Sequence, residues 1–159
     1  MAENQVMFAG DTLRASAAEC YITIGEKRYN FMNCINLEAK MIKNKTEVPI
    51  LGKVSKGNKS TGCTYEGSAT FHYNTSLFRE LLYEFKETGK DVYFDIQVTN
   101  EDKTSSVGRQ TVILRNVNIN EGLLVKFDAD EEILDEEFEF TFEDWDLPEK
   151  FTKLAGMEL

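Results

Sequence analysis

The sequence predicts a mainly β protein: one domain over residues 1–159, built as a β-barrel or sandwich with one flanking α-helix. Three observations carry this expectation. Apolar and polar residues alternate with a period of two in several separate stretches, as half-buried strands require. The period changes to 3.6 in one place only, between Leu77 and Phe85. The composition, 42% hydrophobic and 29% charged over 159 residues, suits a single core. A chain of that length buries roughly 70% of its unfolded surface without disulfides or metal. No uninterrupted apolar run approaches the ~18 residues of a spanning helix.

The elements follow in order. Cys20, Ile22 and Ile24 fall on even positions, and Gly25 with Glu26 supplies a tight turn before Arg28 to Phe31, a hairpin signature. Phe31, Ile35, Leu37, Ala39 and Met41 then hold the odd positions of a strand running to about Ile42. From Gly62 to Tyr73 the alternation returns, with Cys63, Tyr65, Ala69, Phe71 and Tyr73 on one face and Thr64, Glu66, Ser68, Thr70 and His72 on the other. Leu77, Phe78, Leu81, Leu82 and Phe85 mark one side of a helix of about three turns, started by Asn74, Thr75 or Ser76 and stopped by Gly89. Strands are expected again from Val92 to Thr99, Gln110 to Ile119 and Leu123 to Phe127, with a last one holding Phe138, Phe140 and Phe142.

Residues for enzyme chemistry are scarce. One histidine, His72, excludes multi-imidazole metal clusters and any triad not built on it, and its place on a polar strand face reads as structural. Cys20, Cys34 and Cys63 lie 14 and 29 residues apart with no Cys-x-x-Cys. Cys20 and Cys63 share the parity of apolar neighbours and are expected to be buried thiols. Gly52, Gly57, Asn58, Lys59 and Ser60 imitate a phosphate-binding loop, but Asn58 displaces the lysine by one residue and the following stretch is β-like. Asp128, Asp130 and Glu132 alternate like a calcium loop whose required glycine is replaced by Ile133. No cofactor or metal is expected. The N-terminus lacks a basic segment followed by an apolar core of a secretory signal, which with the odd cysteine count points to synthesis in a reducing cytosol.

Two features ask for more than a monomeric barrel. Residues 44–61 form an 18-residue connection without convincing periodicity, carrying the apolar knot Val48, Pro49, Ile50 and Leu51 among Lys43, Lys45, Lys53, Lys56 and Lys59. Long structureless connections are either disordered or functional, and an exposed apolar knot gains by docking, on a partner or back on its own barrel. Val6, Met7 and Phe8 at one end, and Phe151, Leu154, Met157 and Leu159 at the other, repeat the pattern. The second feature is charge. The chain has 28 acids and 18 bases, a net charge of -10, and 12 of the acids lie between Asp128 and Glu149 without a Lys or Arg. Such a balance opposes gripping a phosphate backbone and fits either a solvated face or a surface that repels a polyanion.

Several stretches together resemble the tail tube proteins of contractile phage tails, in particular those of PBSX-like prophages of Gram-positive bacteria. They are Ala15-Ser-Ala-Ala-Glu-Cys-Tyr-Ile-Thr-Ile24, Glu47-Val-Pro-Ile-Leu-Gly52, Gly67-Ser-Ala69, Thr88-Gly89, Asn100-Glu-Asp102, Gly108-Arg-Gln110 and the Phe-rich end with Pro148 and Phe151. The resemblance spans nearly the whole chain; Cys20 departs from it, where a small aliphatic residue is expected. It implies a non-enzymatic β-barrel whose copies form hexameric rings stacked into a hollow tube within a sheath. Double-stranded DNA would pass through without specific binding. Partners would be further copies and the sheath, tape-measure and baseplate proteins, with no membrane binding. On that pattern Val48, Pro49, Ile50, Leu51, Lys53 and Lys56 form an inter-ring stacking loop, aided by the arm 1–14 with Val6, Met7 and Phe8. Glu137, Glu139 and Glu143 are candidate lumen acids. The residues themselves leave two alternatives open: a monomeric β-barrel holding a small apolar ligand, and an acid-rich hydrolase.

Overall fold

The computed structural model describes residues 6–158. A short 3-10 turn, Ala9–Asp11, precedes β1 (Ala18–Ile24), β2 (Lys27–Asn30), β3 (Cys34–Val48), β4 (Gly57–His72), α1 (Leu77–Thr88), β5 (Phe94–Glu101), β6 (Arg109–Ile119), β7 (Asp135–Thr141) and β8 (Asp144–Glu149). The fold is mainly β, antiparallel, with one α-helix, as the alternation predicts. The described residues gather in two compact units: 6–32, 93–116 and 145–158 in one, 33–92 and 117–144 in the other.

In the first unit the strand order is β2-β1-β5-β6, with β8 on β6. The β1-β2 hairpin turns at Gly25, whose φ of 60° is open to glycine at no steric cost. Ile22 stands opposite Ile96 and Cys20 opposite Val98, and Cys20, Ile22, Phe31, Phe94, Ile96 and Leu114 are buried. The other face is polar. Thr111 Oγ1 donates to Glu149 Oε2 at 3.1 Å and Arg109 Nη2 to Glu149 Oε1 at 2.8 Å. Arg115 donates from Nε to Asp146 Oδ2 and from Nη1 to Asp95 Oδ2, both at 2.9 Å. These pairs fasten β8, whose residues are exposed apart from half-buried Glu149. A strand attached by charge at its polar residues, with Pro148 inside it, has no buried face and leaves no alternation to read. Asp102, buried, accepts from Thr104 Oγ1 at 2.6 Å and from the N–H groups of Thr104 and Arg14 at 2.9 Å each. Those bonds tie the loop after β5 to the segment before β1.

In the second unit the order is β3-β4-β7, followed by the last residues of β6, where Ile119 faces Phe140. On β7, Glu136, Phe138 and Phe140 are buried while Glu137, Glu139 and Thr141 are exposed. Phe71 and Phe138 stack with ring centroids 5.4 Å apart, and Phe78 of α1 sits 5.0 Å and 4.4 Å from them. The helix is anchored through Arg79, which donates from Nη2 to Glu136 Oε2 at 3.1 Å and from Nη1 to the Leu123 carbonyl at 3.2 Å. The Arg79 guanidinium also lies over the Tyr73 ring, 4.6 Å from its centroid. Gly89, φ 70°, ends the helix by donating its N–H to Phe85 O at 2.8 Å.

Three expectations are corrected. Residues 44–61 are not one long connection: β3 continues to Val48 and β4 begins at Gly57, leaving only residues 49–56 as the turn. Beyond Met41 and Tyr65 the hairpin is exposed on both faces apart from half-buried Gly57, so its side chains have no inside and outside to alternate between. Cys63 lies in that outer part and is exposed, against the expected burial; Cys20 is buried and Cys34 half-buried. Residues 123–127, expected as a strand, form none. Leu124 and Val125 are adjacent, so the run has no two-residue period to set one covered face, and Leu124, Val125 and Phe127 are exposed.

Gly67 on β4 has no room for a side chain: a Cβ there would meet Phe140 Cζ at 2.4 Å and the Glu38 carbonyl at 2.7 Å. Gly67→Ala is therefore expected to destabilise by about 1–3 kcal/mol through overpacking, measured by denaturant unfolding. Hydrogen bonds from Thr104, Arg14 and again Thr104 hold the Asp102 carboxyl below its ordinary range, and Arg109 with Thr111 does the same for Glu149. Carboxylates depressed in the folded state stabilise it above their unfolded pKa of about 4, and that contribution is lost as pH falls through the lower folded values. Thermal midpoints should drop as pH is taken from 5 toward 2. The Asp102→Ala, Glu149→Gln double variant should show a shallower drop; parallel curves would contradict the assignment.

Candidate assembly surface

The outer hairpin of the second unit ends in a tight turn in which Lys53 donates its N–H to Ile50 O at 3.2 Å. Gly52 occupies the third turn position with φ 84°, as a type II turn requires. The proposed stacking residues divide by role. Ile50 lies against Gly57, its Cδ1 3.0 Å from where a Cβ would stand, so this side chain closes the turn on itself. Leu51 is fully exposed, and so is Val54, which sequence reasoning passed over because it stands alone between polar neighbours. Val48 and Pro49 are exposed, and Lys53 and Lys56 flank the tip, with Lys56 Nζ 3.8 Å from Glu47 Oε2. One bulge, between Asn44 and Lys45, interrupts the ladder, where Thr61 Oγ1 donates to Asn44 O at 3.2 Å.

The three candidate lumen acids are not equivalent. Glu137 and Glu139 share the exposed face of β7, opposite the face that carries Phe71, Phe138 and the helix. Register places Thr70 beside Glu137 and Ser68 beside Glu139, then Glu38 of β3 beside Ser68 and Lys40 beside Glu66. The face thus carries Glu38, Lys40, Glu66, Glu137 and Glu139, with Lys40 Nζ 3.4 Å from Glu66 Oε1. Glu143 sits past the end of β7, at the bend before β8. Glu38 and Glu66 were legible as polar strand positions; their adjacency to β7 was not. His72 belongs to the same face, with Nδ1 3.2 Å from Asp135 Oδ1.

In the first unit, Val6, Met7 and Phe8 are exposed and lead into the 3-10 turn, where Phe8 N–H donates to Asp11 Oδ2 at 3.0 Å and Asp11 also binds Ser106. The Ser106 hydroxyl, then the Phe8 N–H, lower the Asp11 carboxyl below its usual range. Together with Leu154 and Met157 these residues line a shallow hollow, so the apolar ends of the chain converge. Leu159 and the first five residues of the arm lie outside the described residues. Another groove of this unit, about 620 Å³, is lined by Glu19, Arg28, Glu101, Arg109, Thr111 and Glu149 among others, a polar lining unsuited to an apolar ligand.

The chain is similar to several known proteins. The phage-like element PBSX protein XkdM of Bacillus subtilis (strain 168) is 42% identical over 115 residues, 72% of this chain and 78% of the relative. Among solved structures, a chain of the anti-feeding prophage baseplate superposes with TM-score 0.63 at 11% identity, covering 92% of this chain and 97% of that one. The SPP1 tail tube gives TM-score 0.60 at 6% identity over 84% and 77% of the two chains. At those identities the likeness establishes the fold. The family model described as phage tail tube protein matches residues 5–149, and the chain accordingly belongs to the phage tail tube family, a family of structural tube proteins and not of enzymes.

Proposed function

We propose that copies of this chain close into hexameric rings that stack into a tube within a contractile sheath, and that double-stranded DNA passes along its channel without specific binding. The observation that carries the stacking step is the outer hairpin, exposed on both faces and tipped by Leu51 and Val54. An antiparallel pair satisfies its own inner backbone groups, yet isolated two-stranded ribbons are marginal in water, so this one gains by lying on a neighbour. Burying a Leu or Val side chain contributes about 1.5–3 kcal/mol, and a ring repeats the contact around its circumference. The arm with Val6, Met7 and Phe8 adds to the same junction.

Rings close in this reading through sheet edges. β2 and β3 stand at the ends of the strand orders, and β3 carries Lys40, Lys43 and Lys45, charges that discourage uncontrolled pairing of an open edge. The face of Glu38, Glu66, Glu137 and Glu139 is the one assigned to the channel, with Glu143 at its margin. Carboxylates there repel a passing polyanion, and Lys40, the base on this face, is paired with Glu66. Sheath, tape-measure and baseplate proteins are the further partners, and assembly follows synthesis in the bacterial host cytosol.

Electron microscopy of concentrated protein, alone or seeded with baseplate, should show rods with a central channel; monomers under both conditions would count against the reading. Leu51→Asp with Val54→Asp should abolish rods while leaving the circular dichroism spectrum and unfolding midpoint within error of the parent. Ile50 is a poorer probe, because its loss disturbs the turn itself.

A further inference from the structure

The hairpin tip needs a receptor, and the second unit carries a fitting one at its opposite end. β4 runs from Gly57 beside the tip to His72, 16 residues that span roughly 50 Å at ~3.3 Å each. β7 is antiparallel to it and begins where Asp135 faces His72. The segment leading into β7 is therefore placed at the far end of β4 from the tip. It is fixed there by Tyr73 N–H donating to Leu134 O at 3.0 Å, Arg79 to Leu123 O at 3.2 Å and Lys126 Nζ to Asp135 O at 3.3 Å.

This segment has the complementary surface. Leu124, Val125, Phe127 and Ile133 are all exposed, Phe127 to 87%. Between them stand Asp128, Asp130, Glu131 and Glu132, against the single base Lys126. The tip offers Leu51 and Val54 among Lys43, Lys45, Lys53, Lys56 and Lys59, against the single acid Glu47. Apolar meets apolar and base meets acid, with the two surfaces at opposite ends of one unit. A contact between such surfaces is heterologous and propagates head to tail, as stacking demands.

We infer that the receptor for the hairpin tip of one copy is the 123–133 segment of a second copy of this chain, with Leu51 and Val54 seated on Phe127 and its apolar neighbours. The inference rests on the stacking reading above and names the surface that reading leaves open. It gives the acids at 128–132 a docking role distinct from the channel face.

The test uses two proteins in a Cys34→Ser, Cys63→Ser background that keeps only the buried Cys20, one carrying Leu51→Cys and the other Phe127→Cys. Mixed in equal amounts at rod-forming concentration and mildly oxidised, they should give a disulfide-linked heterodimer, absent when either is oxidised alone, since a bond requires Cα atoms within about 7 Å. Val54→Cys with Ile133→Cys serves as a second pair should one variant fold poorly. Rods without a cross-link from either pair would overturn the receptor assignment and leave the tube standing. Failure of the parent protein to form rods at any concentration, alone or seeded with baseplate, with no cross-link, would overturn the tube reading and this one with it.

Discussion

The constraint on which the second unit depends is that a two-stranded ribbon protrudes beyond the sheet that supports it. β4 pairs with β7 only from Glu66 to His72, while its pairing with β3 extends outward to Gly57. Inside the shared stretch one face is buried and the ladder is part of a core. Outside it the backbone groups between β3 and β4 are satisfied and little else is, because both faces meet solvent. Extending the ribbon costs conformational entropy without apolar burial to offset it. A chain belonging to a tube-forming family can hold such an arm if assembly supplies the missing contacts.

The base from which the arm projects is correspondingly rigid. Phe71, Phe78 and Phe138 form a tight aromatic cluster, and Gly67 lets the Phe140 ring approach the β4 backbone closer than any side chain would permit. Arg79 joins helix, β7 and the 123–133 segment through one guanidinium. The pair it makes with Glu136 is largely withdrawn from solvent, and leaving either partner alone there would be costly. Its value lies in fixing position: the segment's start and the helix are set relative to the strand that leads to the tip.

Charge is sorted in the same way. The acid-rich stretch from 128 to 149 looks uniform in sequence, and the fold divides it into distinct tasks. Asp146 and Glu149 fasten β8 through Arg115 and Arg109, Glu136 holds the helix through Arg79, and Asp135 meets His72. Glu137 and Glu139 remain on the polar face of β7. A net charge of -10 therefore overstates how much negative surface a passing polyanion would meet, and locating the excess matters more than counting it.

What sequence made legible follows the rule that only an element with one covered face prints its period. Ala69 and Phe71 on β4, Phe138 and Phe140 on β7, and Phe78 on α1 were all placed on the correct side by alternation or by the 3.6-residue repeat, because each faces a core. The outer hairpin and β8 were invisible, the first since neither face is covered and the second since salt bridges replace burial. Leu123 to Phe127 failed in the reverse sense: the stretch is apolar and follows a turn signal, yet it forms no strand, since adjacent Leu124 and Val125 leave no two-residue period and both are exposed. In the proposed tube, an exposed apolar run joined to a fixed element is covered from outside. In the proposed tube the hairpin's silence and this segment's false signal would have one cause, since each would be covered by a surface the isolated chain does not contain.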